Sequence, residues 1–411
     1  MRQESPVLGL VLWVLLAAGC DVGAPGPGAA EGSRASPEEA PAARPTPPGS
    51  VRLAAIFPTS GRYEASGRES FRGVRIAVEE TNAAGGVAGR PLFLVEYPTR
   101  SDVESTGGAA RRAVAEGALA LIGSNSSLLS QAMAEVAEEA GVVMVSNVST
   151  ATELTVGRPF VFRTCYSNDE LARLLVEFVW THLGGRRPVV LQEVARLYSK
   201  DLGEAFARHF QDRIRSSDDP SAAIRVRHYV TMESDFTPHL DEIRLFRADV
   251  IFLPSSFDDA TLVAMHMKAM GLEVTLVGGD SWASKKLFNR GDPGRPAYHT
   301  DHWSPDPASP FCAAYQARHG MTPECGRAAL AYDAVQAVAA ALRGLAGAWP
   351  EADPVGEGLA AVRRELRDRL ATVRTQGASS LIGFDRHGNG QRPCYVFEVY
   401  RGNRTLAATL E

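Results

Sequence analysis

Side chains that can bind a small charged molecule follow three short apolar runs of this sequence. Ser126–Ser127 and Ser149–Thr150 each come just after such a run, and Asp280 follows a third run and two glycines. Open α/β sheets bind small molecules at the carboxyl ends of their strands, where helix N-termini attract anions and carboxylates attract cations. Structural roles compete with this interpretation, because serine and threonine commonly cap helices and Asp280 could be a solvated loop acid.

The sequence lacks the residue patterns that a catalytic site would need. The sequence contains no Gly-x-Ser-x-Gly elbow, no Walker A loop and no His-Glu-x-x-His motif. A hydrolase with Ser127 as nucleophile would need a histidine within reach, and neither serine-bearing loop contains one. His299 and His302 form the only close histidine pair, and in a polar loop we expect them to face solvent rather than bind a metal. We therefore predict a protein that is not an enzyme and holds no cofactor or metal.

Residues 1–50 have the composition of an export signal and a tether. Residues 7–19 form an apolar run that is too short to span a membrane, and it ends at Cys20. Ala17–Cys20 resembles a bacterial lipobox, so we expect a lipoprotein signal peptide over 1–19 and a lipid on Cys20; an ordinary secretory signal is the alternative. Residues 20–50 are rich in Pro, Ala and Gly and predict an extended tether. The chain is then exported and held at the extracytoplasmic face of a membrane by lipid alone.

Four cysteines lie beyond the tether, at Cys165, Cys312, Cys325 and Cys394. In an oxidising compartment an even number permits two disulfides in any of three pairings. Buried free thiols are an equal alternative.

From Val51 onward, short apolar runs alternate with helical patterns. The predicted strands are 51–57, 91–97, 119–123, 142–146, 188–194, 224–230, 249–253 and 274–278. Runs rich in Val, Ile and Leu are typical of parallel strands buried on both faces, so the fold class is α/β. Two doubly wound lobes fit better than a TIM barrel, because 285–311 is a long polar segment and 395–400 is a strand with no following helix. A net charge of −5 without a basic stripe excludes nucleic-acid binding.

Several segments together resemble the type I periplasmic binding proteins, specifically the Leu/Ile/Val-binding family of ABC transporters. The resemblance is carried, in order, by 56–90, 121–155, 163–164, 320–334 and 382–390. It implies two lobes joined by a three-strand hinge, with lobe 1 formed by 51–164 and 301–392 and lobe 2 by 165–300 and 393–411. It also places Cys165 and Cys394 near hinge strands, which implies a Cys165–Cys394 disulfide and leaves Cys312–Cys325 as a local clip.

The resemblance further implies a ligand site between the lobes. Ser127 matches the family serine that holds the ligand carboxylate, with Ser126 beside it. Thr150 matches the threonine that contacts both carboxylate and ammonium, and Ser149 and the Val148 carbonyl adjoin it. Asp280 takes the place of the acid that pairs with the ligand ammonium, one methylene shorter than the family's glutamate. Tyr198 matches an aromatic that closes over the ligand, although Ser199 replaces the usual glycine. Ser66 stands where relatives have a pocket aromatic, for which Tyr63 or Trp282 could compensate.

We therefore expect a monomeric solute-binding lipoprotein that closes around a small zwitterion, an amino acid, and delivers it to an ABC permease. One alternative is an envelope lipoprotein of the same fold that acts as a sensor or regulator. Another is transport of an amide, urea or aromatic acid, against which Asp280 argues because it calls for a cation on the ligand.

Overall fold

The computed structural model describes residues 44–289, 291–345 and 354–411. The predicted signal peptide, Cys20 and most of the tether lie outside the described residues. None of the helices in the described ranges is both long enough and apolar enough to cross a membrane.

Strands and helices alternate along most of the chain. The strands are β1 (Val51–Pro58), β2 (Leu92–Thr99), β3 (Ala120–Ile122), β4 (Val143–Ser146), β5 (Val161–Arg163), β6 (Pro188–Glu193), β7 (Arg225–Tyr229), β8 (Val250–Phe252), β9 (Thr275–Gly278), β10 (Ala297–Asp301), β11 (Thr375–Gln376), β12 (Leu381–Ile382), β13 (Cys394–Tyr400) and β14 (Asn403–Leu410). The helices are α1 (Glu64–Ala83), α2 (Val103–Ala115), α3 (Ser127–Ala140), α4 (Asn168–Thr181), α5 (Leu197–Arg215), α6 (Thr237–Phe246), α7 (Phe257–Met270), α8 (Pro310–His319), α9 (Gly326–Arg343) and α10 (Gly356–Ala371). Short 3₁₀ helices cover Thr152–Leu154 and Asp280–Trp282.

Two open sheets form the framework. The first sheet has five parallel strands in the order β2-β1-β3-β4-β5. The second has seven strands in the order β14-β13-β10-β9-β8-β6-β7, parallel from β7 to β10, with β13 and β14 added as an antiparallel hairpin. The α/β fold class is therefore confirmed, and the TIM barrel is excluded because the strands form two open sheets.

The chain passes between the sheets three times. The first passage lies between β5 and α4, the second between β10 and α8, and the third between β12 and β13. Arg392 in the third passage donates to the Thr164 carbonyl in the first, at 2.7 Å. The Thr164 hydroxyl donates to the Leu330 carbonyl of α9 at 3.1 Å. These bonds hold the first and third passages together against the first sheet.

Three strands arise where the sequence gives little sign of them. β5 has only three residues, β10 lies inside the segment predicted to be a polar loop, and β14 pairs with β13, which was predicted to end the sheet alone. β10 is buried despite its sequence Ala-Tyr-His-Thr-Asp, because Arg404 of β14 contacts His299 Nε2 at 3.1 Å and Asp301 Oδ2 at 2.9 Å. The expectation that His299 and His302 face solvent is wrong, since both are almost fully buried.

Neither predicted disulfide is present: the four cysteines of the described ranges are buried free thiols. Cys165 packs in the apolar cluster around Trp303, whereas Cys394 belongs to a different cluster under α4 and α5. The Cys325 thiol faces Glu69 Oε2 at 3.8 Å, while Cys312 packs beside Phe311. Burial raises the pKa of the Cys165 and Cys394 thiols to about 12, which keeps them protonated.

Candidate ligand-binding site

The N-terminus of α3 lies beside the loop that follows the next strand of the first sheet. Ser126 occupies the N-cap position of α3, but its side chain makes no capping hydrogen bond. Ser127 is buried, and its hydroxyl accepts a hydrogen bond from the Ala151 amide at 3.3 Å. Because β3 and β4 are neighbouring parallel strands, their carboxyl ends bring these two loops together. We call residues 147–152 the hydroxyl loop.

A buried serine network fixes the hydroxyl loop from beneath. The Ser149 hydroxyl donates to the Ser124 carbonyl at 3.0 Å and lies 2.7 Å from the Ser130 hydroxyl. Ser146 also donates to the Ser124 carbonyl, at 3.2 Å. The family resemblance placed Ser149 beside the ligand. In the structure its hydroxyl bonds to Ser124 and Ser130 and holds the loop.

Thr150 differs from Ser149 because its hydroxyl is unused. It is fully buried, and Oγ1 has no hydrogen-bond partner among the residues that the structure describes. Its carbonyl accepts from the Asn168 amide at 2.7 Å, which fixes its backbone. A buried hydroxyl without a hydrogen-bond partner destabilises the folded chain, and a ligand can supply the missing partner. Thr150 is therefore the hydroxyl of this loop most suited to contact a ligand. The neighbouring Val148 is partly buried and packs on the apolar cluster around Trp303.

Arg163 holds the hydroxyl loop from the end of β5 and was missed as a site residue. Its buried guanidinium donates to the carbonyls of Ser149 at 3.1 Å, Ala151 at 2.8 Å and Thr152 at 3.2 Å. Burial lowers the pKa of Arg163 from its ordinary value. A lone arginine at the end of an apolar run was the available signal, because a buried cation must have partners.

Asp280 lies at the carboxyl end of the second sheet, in what we call the acid loop (residues 279–285). Its side chain is 12% exposed, and the Tyr198 hydroxyl of α5 donates to Oδ1 at 3.0 Å. A Cβ atom on Gly279 would lie 2.2 Å from that hydroxyl, so only glycine leaves room for the contact. Burial raises the pKa of Asp280, but His302 and Tyr198 outweigh burial and leave this pKa below its usual range.

The second contact of Asp280 comes from the second passage between the sheets. His302 Nε2 lies 3.3 Å from Asp280 Oδ2, and its ring packs on Tyr166 with centroids 4.4 Å apart. Burial also raises the pKa of Tyr166. Sequence reasoning missed His302 and Tyr166, since the partners of each are far away along the chain.

Tyr63 and Ser66 lie at the start of α1. The Ser66 hydroxyl donates to the Tyr63 carbonyl at 2.9 Å, and the Tyr63 amide donates to Ser101 Oγ at 2.9 Å. Trp282 is fully buried and packs against Phe288 in the core of the second sheet. Trp282 is therefore a residue of the acid loop that packs in the core of the second sheet.

Two chains of contacts connect the acid loop with the hydroxyl loop. In one, Tyr198 contacts Asp280, and Asp201 of the same helix accepts from the Thr152 amide at 2.8 Å. In the other, Asp280 and Tyr166 both contact His302, and Cys165, next to Tyr166, donates its thiol to the Ser149 carbonyl at 3.5 Å. The acid loop and the hydroxyl loop are therefore connected both through α5 and through the passages between the sheets.

A further set of contacts ties the acid loop to the start of α9. The Glu324 carboxylate accepts from the Ser284 hydroxyl at 3.0 Å and from the Lys285 amide. Arg327 donates to the Ala283 carbonyl at 3.1 Å and pairs with buried Glu69 at 3.4 Å.

In the described ranges no group of three His, Cys, Asp or Glu side chains could hold a metal ion. The site therefore offers hydrogen bonds and charge.

Comparison with known proteins agrees with this geometry. The family model of periplasmic binding proteins matches residues 50–404. A Leu/Ile/Val-binding protein homolog of Brucella abortus is 24% identical over 316 residues, which cover 73% of this chain and 78% of the relative. A leucine-binding protein of Thermotoga maritima is 26% identical with a TM-score of 0.76, covering 88% of this chain and 99% of that chain.

A solute-binding protein of R. palustris, solved in complex with benzoate, shares the fold at 19% identity and a TM-score of 0.72, covering 88% of this chain and 96% of that one. The family model spans most of this chain, which therefore belongs to the type I periplasmic binding proteins of the branched-chain amino-acid family, solute-binding proteins and not enzymes.

Proposed function

We propose that this chain captures a small zwitterion, an α-amino acid, between its two lobes and delivers it to the permease of an ABC transporter. The observation that carries the proposal is the pairing of the hydroxyl loop with the acid loop through Tyr198, Asp201 and His302. An amino acid carries its anion and its cation on one carbon, and this site offers a partner for each. The leucine-binding relative supports the same ligand class.

The carboxylate end of the ligand is assigned to the N-terminus of α3 and the hydroxyl loop. The first amides of α3 have no partner within the helix and carry the positive end of its dipole. Ser126 leaves those amides uncapped by its side chain, and Thr150 has a free hydroxyl. Ser127 and the Val148 carbonyl stay in the proposed set as neighbours of these groups, while Ser149 acts by holding the loop.

The ammonium end of the ligand is assigned to Asp280, with Tyr198 closing beside it. A charge-assisted hydrogen bond to a largely enclosed carboxylate is stronger than a neutral one, and it discriminates against ligands without a cation. Tyr63 and Ser66 remain proposed neighbours of the ligand side chain. With serine in place of an aromatic at position 66, the size preference is expected to differ from that of leucine-binding relatives.

An aromatic acid is the second candidate ligand, because one observation favours it. His302 already contacts Asp280 and supplies a cation from the protein when it is protonated, so a ligand without an ammonium group would then leave no charge unpaired. The R. palustris protein of the same fold was solved with benzoate.

The cellular setting completes the proposal. Periplasmic binding proteins work outside the cytoplasm, and we propose that this chain is a monomer exported by residues 1–19. A lipid on Cys20 and the tether of residues 20–50 would hold it at the membrane beside its permease. Intact mass of the chain purified from membranes tests this, since lipidation adds acyl chains and removes residues 1–19, whereas an unmodified or merely cleaved chain contradicts it.

A thermal-shift panel of the purified full chain tests the ligand class. The panel holds the twenty amino acids, urea, short amides and aromatic acids, after unfolding and refolding to remove bound ligand. A ligand at one hundred times its Kd adds about 2.7 kcal/mol, a shift of several degrees. Asp280→Asn and Thr150→Val should each abolish an amino-acid response, whereas Asp258→Asn, an exposed acid of the same lobe, should keep it. If no compound of the panel gives a response, the proposal is contradicted. The alternative role, an envelope lipoprotein of the same fold that acts as a sensor or regulator, is then favoured.

A further inference from the structure

Both oxygens of the Asp280 carboxylate already have partners within the protein. Tyr198 donates to Oδ1 at 3.0 Å, and His302 Nε2 lies 3.3 Å from Oδ2. The His302 side chain is only 3% exposed, so solvent does not screen this contact well. Tyr198 is neutral, which leaves His302 as the group of this pair that can bring a positive charge to the acid.

The surroundings of His302 leave Asp280 as its charged partner. Its ring packs on the neutral Tyr166, and α9 approaches through Gly326, where a Cβ atom would lie 3.3 Å from the His302 Cβ. Neither ring nitrogen of His302 has a hydrogen-bond partner in the part of the chain that the structure describes, so the 3.3 Å approach of Nε2 to Asp280 Oδ2 is a contact between ionisable groups. The nearby charges are already paired.

Those nearby charges lie on β10, β14, α9 and α1. Asp301 of β10 pairs with Arg404 of β14 at 2.9 Å and accepts from the Gly326 amide at 3.1 Å. Arg327 of α9 pairs with Glu69 of α1. Asp280 is therefore the acid that contacts His302 directly and has no other cation as partner among these groups. The lowered pKa of Asp280 fits a carboxylate that remains ionised beside the histidine.

A ligand ammonium and a protonated His302 would compete for one carboxylate. Two like charges held against the same enclosed acid repel each other strongly, because little water separates them. When His302 is neutral, the Asp280 charge is available to a ligand cation. When it is protonated, the acid is already neutralised, and a carboxylate ligand without an ammonium group fits the site better.

We propose that His302 is a specificity-determining residue that sorts ligands by charge: the neutral histidine admits amino acids, and the protonated histidine admits carboxylic acids that carry no ammonium group. This inference rests on the proposed function, since it assigns a second role within the same site. Histidine suits the task because its charge ordinarily changes between pH 5 and 8.

Matched ligand pairs test the inference by titration calorimetry on the full chain. Leucine and 2-hydroxy-4-methylpentanoate form the first pair, and phenylalanine and phenyllactate the second; within each pair a hydroxyl replaces the ammonium. From about pH 8 to about pH 5.5, amino-acid affinity should fall about tenfold while hydroxy-acid affinity holds or rises. Between these two pH values, amino-acid binding should release a proton, seen as a binding enthalpy that depends on the buffer.

His302→Gln should remove the pH dependence and the proton release, because glutamine stays neutral across this range. The matched control is His299→Gln, three residues earlier on the same chain segment. Burial lowers the pKa of His299 to about 3, so this buried histidine stays neutral throughout and its loss should leave the pH profile unchanged. If His302→Gln does not fold, the proton release of the unaltered chain still decides the question.

Amino-acid binding that is equal at both pH values, or without proton release, overturns the inference and leaves the proposed function standing. So does a His302→Gln variant that keeps the pH profile of the unaltered chain. If no amino acid of the panel and neither hydroxy acid binds at either pH, the proposed function itself fails, and the inference fails with it.

Discussion

The two halves of the candidate site differ in what their polar groups already do. In the half formed by the first sheet, Ser149 and Arg163 donate to backbone carbonyls, whereas the buried Thr150 hydroxyl has no partner among the described residues. In the half formed by the second sheet, Asp280 and His302 are ionisable and contact each other directly. The first half is a fixed frame, whereas the second is a charge network whose balance can change with the ligand.

This difference predicts where substitutions act. Changes to Ser149 and Arg163, which hold the first half, should reduce stability more than ligand affinity. Changes to the unpartnered Thr150 hydroxyl and to the second half should reduce ligand affinity more than stability. Equal changes in stability and in ligand affinity for substitutions in the two halves would contradict this difference.

The largest effect is expected for Arg163→Ala, which removes the buried guanidinium that donates to three carbonyls of the hydroxyl loop. The unfolding free energy should fall by about 3 kcal/mol or more, since a hydrogen bond from a charged group contributes about 1.5–3 kcal/mol. Urea unfolding measures the change. Arg68→Ala, at an exposed arginine of α1, is the control and should stay within about 0.5 kcal/mol of the unaltered chain. Equal stability of the two variants would show that Arg163 does not hold the loop.

A middle effect is expected for Gly279→Ala in the second half. The added Cβ would lie 2.2 Å from the Tyr198 hydroxyl and must push the tyrosine away from Asp280. Overpacking of this kind costs about 1–3 kcal/mol, so we expect about a tenfold loss of amino-acid affinity by calorimetry. Adding Tyr198→Phe, which removes the clashing oxygen, should recover part of the loss. Gly108→Ala, with open space around its Cβ position, is the control. No recovery in the double variant would contradict this account.

The smallest effect separates two neighbouring hydroxyls of the first half. Ser149→Ala removes bonds to Ser124 and Ser130 and should lower the unfolding free energy by about 1–2 kcal/mol. Thr150→Val keeps the side-chain shape and removes a buried hydroxyl that has no partner among the described residues, so the unfolding free energy should not fall and should rise by up to about 1–3 kcal/mol. Parallel urea unfolding of the two variants measures the difference. A larger loss of stability for Thr150→Val than for Ser149→Ala would reverse the assignment of the free hydroxyl.

The strands that could be predicted from sequence are those buried through their own apolar residues. β1 and β8, for example, are short apolar runs whose burial needs no particular partner. The start of α4 is equally local, since the Ser167 side chain accepts from the Glu170 amide three residues later. Local chemistry is enough to specify such features.

The features that escaped prediction depend on partners far away in sequence. β10 is buried because Arg404 pairs with His299 and Asp301 from about one hundred residues later. His302 contacts Asp280 of the acid loop and Tyr166 of the first passage between the sheets. A polar residue is exposed or buried according to whether such a partner exists, and the local sequence does not contain that information. The disulfides failed for the same reason, since pairing needs distances that spacing does not supply.

The bonds from Glu324 to Ser284 and Lys285, and from Asp201 to Thr152, join protein to protein and need no ligand. Part of the free energy that holds the loops of the two sheets together is therefore independent of a ligand. For the transport role proposed above, a permease that recognises only the outline of closed lobes would also engage unloaded copies of this protein. Such engagement would lead to ATP hydrolysis without solute transport. The strength of these few bonds would therefore limit how tightly transport is coupled to ATP hydrolysis.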